Sequence, residues 1–200
     1  MAGTRKDFNR SETQRHIRNT FLKLYAEKGI DGVTVNELCR NAGIVKSTFY
    51  IYFEDKYSVL EEIETELLEY LANVNSDLEK LEVTPVLMGD PLPQASKTVS
   101  FILEHLEEYR AIMGPKGDPS FESRWRRNIA ASFKDRFLKE KGDARSAGLA
   151  CAIFSSTLIG IYRYFIFEAP DISRENFALI LGNTFKYALM DFQSGIAAEM

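Results

Sequence analysis

The 200-residue sequence predicts an all-α fold: a small N-terminal group of three helices joined through a long fourth helix to a larger helical body. Three observations carry this. Apolar residues recur at three- and four-residue spacing through nearly every segment, and no run of strict alternation is long enough for a sheet. Helix-breaking residues fall between those segments, at Gly29, Gly43, the proline-rich stretch 83–93, Gly114 to Gly117, Gly142 and Pro170. An apolar content of 45% is enough to bury a sizeable core.

The first helix is expected from Ser11, which forms a capping-box pattern with Gln14, and it buries Ile17, Phe21, Leu24 and Tyr25 before Gly29 ends it. Residues 1–10 read as a loose arm. Thr34 and Glu37 form a second capping box, opening a short helix that turns Val35, Leu38, Cys39 and Ala42 inward and stops at Gly43. A third short helix runs from about Val45 to Tyr52, and Asp55 caps a long fourth one carrying Leu60, Ile63, Leu67, Leu71, Val74, Leu78 and Leu81. Val83 to Pro93 reads as a loop. Beyond it come a helix from about Gln94 to Met113 and a break at Gly114 to Gly117. The next helix is capped by Asp118, has Pro119 as its first residue and runs to about Lys141. The last two helices span Ala144 to Glu168, ended by Pro170, and Ser173 to about Gln193.

Gly148 to Phe167 has the length of a membrane span and a single charge, Arg163. Arg163 lies between Tyr162 and Tyr164, and Ser155, Ser156 and Thr157 interrupt the run, so the segment is expected to be a buried helix of a protein with no membrane partner. No secretory signal is legible, which makes the cytoplasm the expected compartment. Cys39 and Cys151 sit in apolar patterns as reduced thiols, and with His16 and His105 isolated no metal-ligand spacing arises; no cofactor is implied. Neither a nucleophile with a base nor a phosphate loop is evident, so the chain does not read as an enzyme.

Charge is uneven. Residues 1–56 carry ten Lys and Arg against seven Asp and Glu, while residues 57–200 carry fifteen against twenty-two, within a net charge of -4. Because phosphate attraction is local, this suits a DNA-binding head on a body with another task. The short helix from Thr34, the turn at Gly43 and the helix from Val45 have the lengths of a helix-turn-helix. Taking Lys46 as zero, at about 100° per residue Tyr50 falls near ~40°, Ser47 near ~100° and Phe49 near ~300°, so Phe49 can face the core while the other three share an exposed arc. Spacing alone leaves a DNA reader and an ordinary bundle helix both open.

The residues themselves narrow this. Thr34, Val35, Leu38, Ala42, Gly43, Ile44, Lys46, Ser47, Thr48, Phe49, Tyr50, Tyr52, Phe53, Lys56 and Leu60 resemble the signature of the TetR family of bacterial transcriptional regulators, over about residues 11–60. The resemblance implies a helix-turn-helix domain over residues 1–56 and a helical ligand-sensing and dimerisation domain over 57–200. It implies contact with double-stranded DNA by Thr34 as a phosphate-binding helix cap, by Lys46, Ser47 and Thr48 on the recognition helix, and by Tyr50, Tyr52 and Lys56 on the backbone. Phe49 and Phe53 are expected in the core. Two positions depart from the pattern: Val45, where Ser or Thr would cap the recognition helix, and Cys39, where alanine is common. The implied protein is a homodimeric repressor of a palindromic operator, released by a small-molecule effector.

Polar and aromatic residues embedded in the body's apolar helices, His105, Tyr109, Trp125, Arg163 and Tyr164, are the candidates for an effector site. Phe154, Leu158, Ile161, Phe177, Ile180, Leu181 and Phe185 are those for the dimer seam. The rival readings are a helical protein-interaction module, and a regulator that activates or that answers to a partner protein.

Overall fold

The computed structural model describes residues 5–76, 82–90, 92–169 and 171–190, and every regular element among them is a helix. In chain order these are α1 (Arg5–Gly32), α2 (Val35–Asn41), α3 (Lys46–Tyr52), α4 (Lys56–Val74), α5 (Val83–Leu87), α6 (Pro93–Glu104), α7 (Leu106–Met113), α8 (Phe121–Lys141), α9 (Ala144–Phe167) and α10 (Arg174–Met190). Leu78, Leu81, Pro170 and the expected helix end at Gln193 lie outside the described residues.

Four boundaries differ from expectation. α1 starts at Arg5, so Ser11 is interior to it and residues 5–10 are helix, not arm; no Gly or Pro occurs between Arg5 and Lys28 to stop it. Gln14, freed from capping, donates to both carboxylate oxygens of Glu62 at 2.9 and 3.0 Å. The stretch read as a loop holds α5, because Pro85 sits in the first helical turn, where the missing N–H costs nothing. The helix expected from Gln94 to Met113 divides at His105 (φ -115°, ψ 29°) into α6 and α7. α8 begins at Phe121 behind Ser120, and the Asp118 N–H donates to the Ile112 carbonyl at 2.9 Å, closing the preceding turn. At Gly29 the backbone leaves helical geometry as expected, with φ 70° and ψ 173°.

The chain packs as two units. Among the described residues, the first comprises 5–67 together with Glu107–Pro119, and the second those of 68–106 and 120–190. In the first, Phe21 stacks on Tyr25 at 5.5 Å, and Tyr109 and Ile112 of α7 are buried with them. The turn after α7 needs glycine at position 117, where a Cβ would lie 1.8 Å from the Ile112 carbonyl oxygen. That turn presents Lys116, whose ammonium donates to the Glu27 carbonyl near the end of α1.

In the second unit α8 and α9 pack against each other, with α10 beside them and α6 against α10. Gly142 (φ 78°) ends α8, and the Asp143 carboxylate caps α9 through the N–H groups of Arg145 and Ser146. Phe133, Phe137, Phe154 and Phe185 form one aromatic cluster, with centroids 4.7 to 6.2 Å apart, and Trp125 stacks on Tyr162 at 4.8 Å. α9 is long and apolar enough to cross a membrane, yet half of its most apolar stretch is buried inside the protein.

Candidate nucleic-acid interface

The geometry of the reading surface starts at the turn between α2 and α3. Gly43 takes φ 62°, its N–H donates to the Arg40 carbonyl, and the Ile44 N–H reaches back to Cys39 at 3.0 Å, which is a complete Schellman stop. His16 on α1 lies 3.1 Å from the Ala42 carbonyl and so braces the same turn. α3 then begins behind Val45, an N-cap with no side-chain hydrogen bond, at a cost on the order of 1 kcal/mol relative to Ser or Thr. Phe49 and Phe53 are buried, with rings 5.8 Å apart, and hold α3 against the unit's core. Burial pushes the Cys39 thiol up while the Lys46 ammonium pulls the other way, so Cys39 behaves as a small protonated hydrophobe.

With the inner face pinned, Lys46, Ser47 and Tyr50 are exposed together, and Thr48 and Tyr52 are partly exposed. These five side chains leave an ammonium, two hydroxyls and two phenols on or beside one short helix. Thr34 caps α2 by accepting from the Glu37 N–H at 3.2 Å. The Glu37 carboxylate pairs with Lys28 at 2.5 Å, so it does not reach back to complete a box.

Lys56 has protein partners that the sequence did not reveal. Its ammonium donates to the carbonyls of Ile30 at 2.7 Å and Val33 at 2.9 Å, with Asp31 at 3.5 Å. The charge satisfies open carbonyls at the end of α1 and at Val33 just beyond it. Asp55, just before it, caps α4 as expected: its carboxylate accepts from the Ser58 N–H at 2.8 Å, and the Ser58 hydroxyl accepts from the Asp55 N–H at 3.2 Å. Two exposed residues on the α3 surface, Val45 and Ile51, were missed by sequence reasoning, which searched for polar groups. The wheel that selected Ser47 and Tyr50 puts Ile51 at about 140°, on the same arc.

The body's candidates fall in both units. Trp125 lines a cavity of about 20 Å³ with Tyr162, Leu92, Phe133 and the polar Gln94 and Thr98, space for roughly one water. His105 lies between α6 and α7 with its ring 4.3 Å from Phe101, and Tyr109 is buried in the first unit. Arg163 is exposed and pairs with Glu122 at 2.5 Å, and Tyr164 is exposed. The expected dimer seam also changes. Phe154, Leu158, Phe177, Leu181 and Phe185 are buried in their own unit, because the α8, α9 and α10 core consumes that side of both helices. Ile161 is half-buried and Ile180 exposed. Among the described residues, the exposed large apolar groups on α9 and α10 are Leu149, Ile153, Tyr164, Leu179, Ile180 and Tyr187.

Residues 17–63, which contain the helix-turn-helix and its two flanking helices, match the family model of bacterial regulatory proteins, tetR family. Over this segment the chain is similar to the TetR family. The TetR-family signature expected from Thr34 to Leu60 falls inside the matched segment. The chain is 32% identical over 104 residues to the HTH-type transcriptional regulator AcrR of Shigella flexneri, covering 51% of this chain and 46% of AcrR. It is 32% identical over 58 residues to IcaR of Staphylococcus aureus, the negative transcriptional regulator of the biofilm operon icaADBC, covering 29% of this chain and 31% of IcaR. The chain thus spans half or less of these curated relatives' length. A TetR transcriptional regulator from Streptococcus agalactiae shares the fold at TM-score 0.55 and 21% identity, over 92% of this chain and 95% of that one. Both of these curated relatives are named as transcriptional regulators.

Proposed function

We propose that the chain is a cytoplasmic homodimeric repressor with residues 1–56 as its DNA-binding head and residues 57–200 as its sensing and dimerising body. The observation that carries the DNA-reading part is the exposed arc of Lys46, Ser47 and Tyr50 on α3, above a fully buried Phe49. Thr34, Thr48 and Tyr52 complete the contact set. One helix of seven residues touches few bases, so a two-fold pair reading half-sites a helical turn apart supplies the missing affinity. Repression is favoured by the similarity to IcaR, itself named a negative regulator.

The second copy docks on the outer face of α9 and α10. From Ala147 to Tyr162 the sequence carries no charge, and the exposed positions Leu149 and Ile153 recur at helical spacing, with Leu179, Ile180 and Tyr187 on α10. An uncharged exposed stripe of this length marks an interface, and it offers α9 a protein partner in place of a membrane.

Release by a small molecule works through differential affinity: an effector that opens the cavity beside Trp125 and Tyr162 and favours mis-spaced recognition helices weakens operator binding, typically by about 1–3 kcal/mol. The test is gel-shift titration of the full chain on duplexes recovered from a random pool, across salt, with and without candidate effectors. Two chains per duplex and a salt-dependent Kd support the reading; absence of duplex binding at low salt favours a protein-interaction module. A ligand that occupies the body yet leaves operator affinity unchanged removes the effector.

A further inference from the structure

We infer that Val45 and Ile51 are specificity-determining residues that read thymine methyl groups in each operator half-site. This rests on the reading of α3 as the recognition helix and adds what that helix recognises.

Val45 is 65% exposed and Ile51 62%, more than Tyr50 at 56% on the same helix. Both are β-branched and aliphatic, and water gains nothing from either. Val45 also occupies the N-cap with no side-chain hydrogen bond, where Ser or Thr would stabilise α3. An exposed aliphatic at a position that favours a hydroxyl forfeits stability in the free protein, and an apolar partner in the bound state offsets the loss.

The chemistry of the groove supplies that partner. In the major groove the thymine C5-methyl is the apolar group presented by the bases, and bidentate side chains read the purines. Between Ile44 and Phe53 there is no Arg, Asn, Gln, Asp or Glu, so α3 has no fork for guanine or adenine. Polar readout falls to Lys46, Ser47 and Thr48, and the remaining discrimination to aliphatic contact. Val45 and Ile51 are six residues apart, about 9 Å along a helix axis at ~1.5 Å per residue. That spans between two and three base-pair steps of about 3.4 Å, so the two residues reach different base pairs.

The experiment replaces thymine by deoxyuridine, one position at a time, in duplexes that the full chain selects from a random pool; only the methyl group is removed. Affinities are measured for the wild-type chain, Val45→Ser and Ile51→Ala. The wild type should lose about fourfold at one thymine per residue in each half-site, the amount expected for one methyl-sized group leaving an apolar contact. Val45→Ser should abolish the loss at one of these positions while raising the Tm, and Ile51→Ala should abolish it at the other. Circular dichroism confirms that both variants fold. Indifference of the wild type to every deoxyuridine, or losses that persist unchanged in both variants, would overturn the proposal while leaving DNA binding intact. Failure to enrich any duplex would overturn both this inference and the DNA-binding reading beneath it.

Discussion

The ammonium of Lys56, at the first residue of α4, donates to the carbonyl oxygen of Ile30 at 2.7 Å. With the Val33 carbonyl at 2.9 Å it ties the start of α4 to the end of α1 and the residue just beyond it, which braces the frame on which α2 and α3 sit. A lysine so engaged braces the helices that carry the α3 surface.

Lys56→Met should therefore lower stability by about 1–3 kcal/mol, the range for losing hydrogen bonds to a charged group, and leave the salt dependence of duplex binding unchanged. Lys46→Ala should do the reverse, with little effect on stability and a log Kd against log salt slope lower by about 1. Urea denaturation and binding across a salt series measure the two. A reduced slope in Lys56→Met would return that residue to the phosphate contacts.

On α9, Ile153 and Phe154 are neighbours with opposite surroundings, the first exposed and the second buried in the aromatic cluster. Ile153→Arg is predicted to yield a folded monomer in sedimentation velocity, with unchanged helix content. Phe154→Ala should cost about 3–5 kcal/mol through lost packing and the cavity left behind. A dimer that survives Ile153→Arg, and equally a charge at Tyr187, would move the interface elsewhere.

Burial pushes the Tyr162 phenol above its ordinary value near 10. In the unfolded chain the phenol ionises at about pH 10, while in the folded protein it stays protonated beyond that. The unfolded state thus loses its proton first, so this stabilising contribution is complete below pH ~10 and is lost as pH rises through the shifted value. Denaturation midpoints should fall above pH ~10, and more shallowly in Tyr162→Phe. Equal slopes in the two proteins would contradict the assignment.

Much of this was legible in the sequence because helix period, glycine stops and cap residues act locally. Gly29, Gly43, Gly142 and Asp55 all end or open helices where their chemistry requires. What the sequence did not disclose depends on which surface meets which. Phe154 and Ile153 are both apolar and adjacent on a helix with two apolar faces, and periodicity does not say which face the protomer's own α8 and α10 cover. Ser11 and Gln14 satisfy a capping pattern, but Glu62 on α4 competes for Gln14, and nothing upstream breaks the helix. Lys56 has the charge of a phosphate anchor; only the fold brings the carbonyls of Ile30 and Val33 to it.

The central claim is that α3 reads duplex DNA through Lys46, Ser47 and Tyr50. The most direct measurement is fluorescence anisotropy of a labelled duplex, selected by the full chain from a random pool, titrated with wild type and with a Lys46→Ala, Tyr50→Ala double variant whose Tm matches wild type. The account predicts tight, salt-dependent binding by the wild type and loss of discrimination between selected and random duplex in the variant. Equal discrimination by both proteins would contradict it.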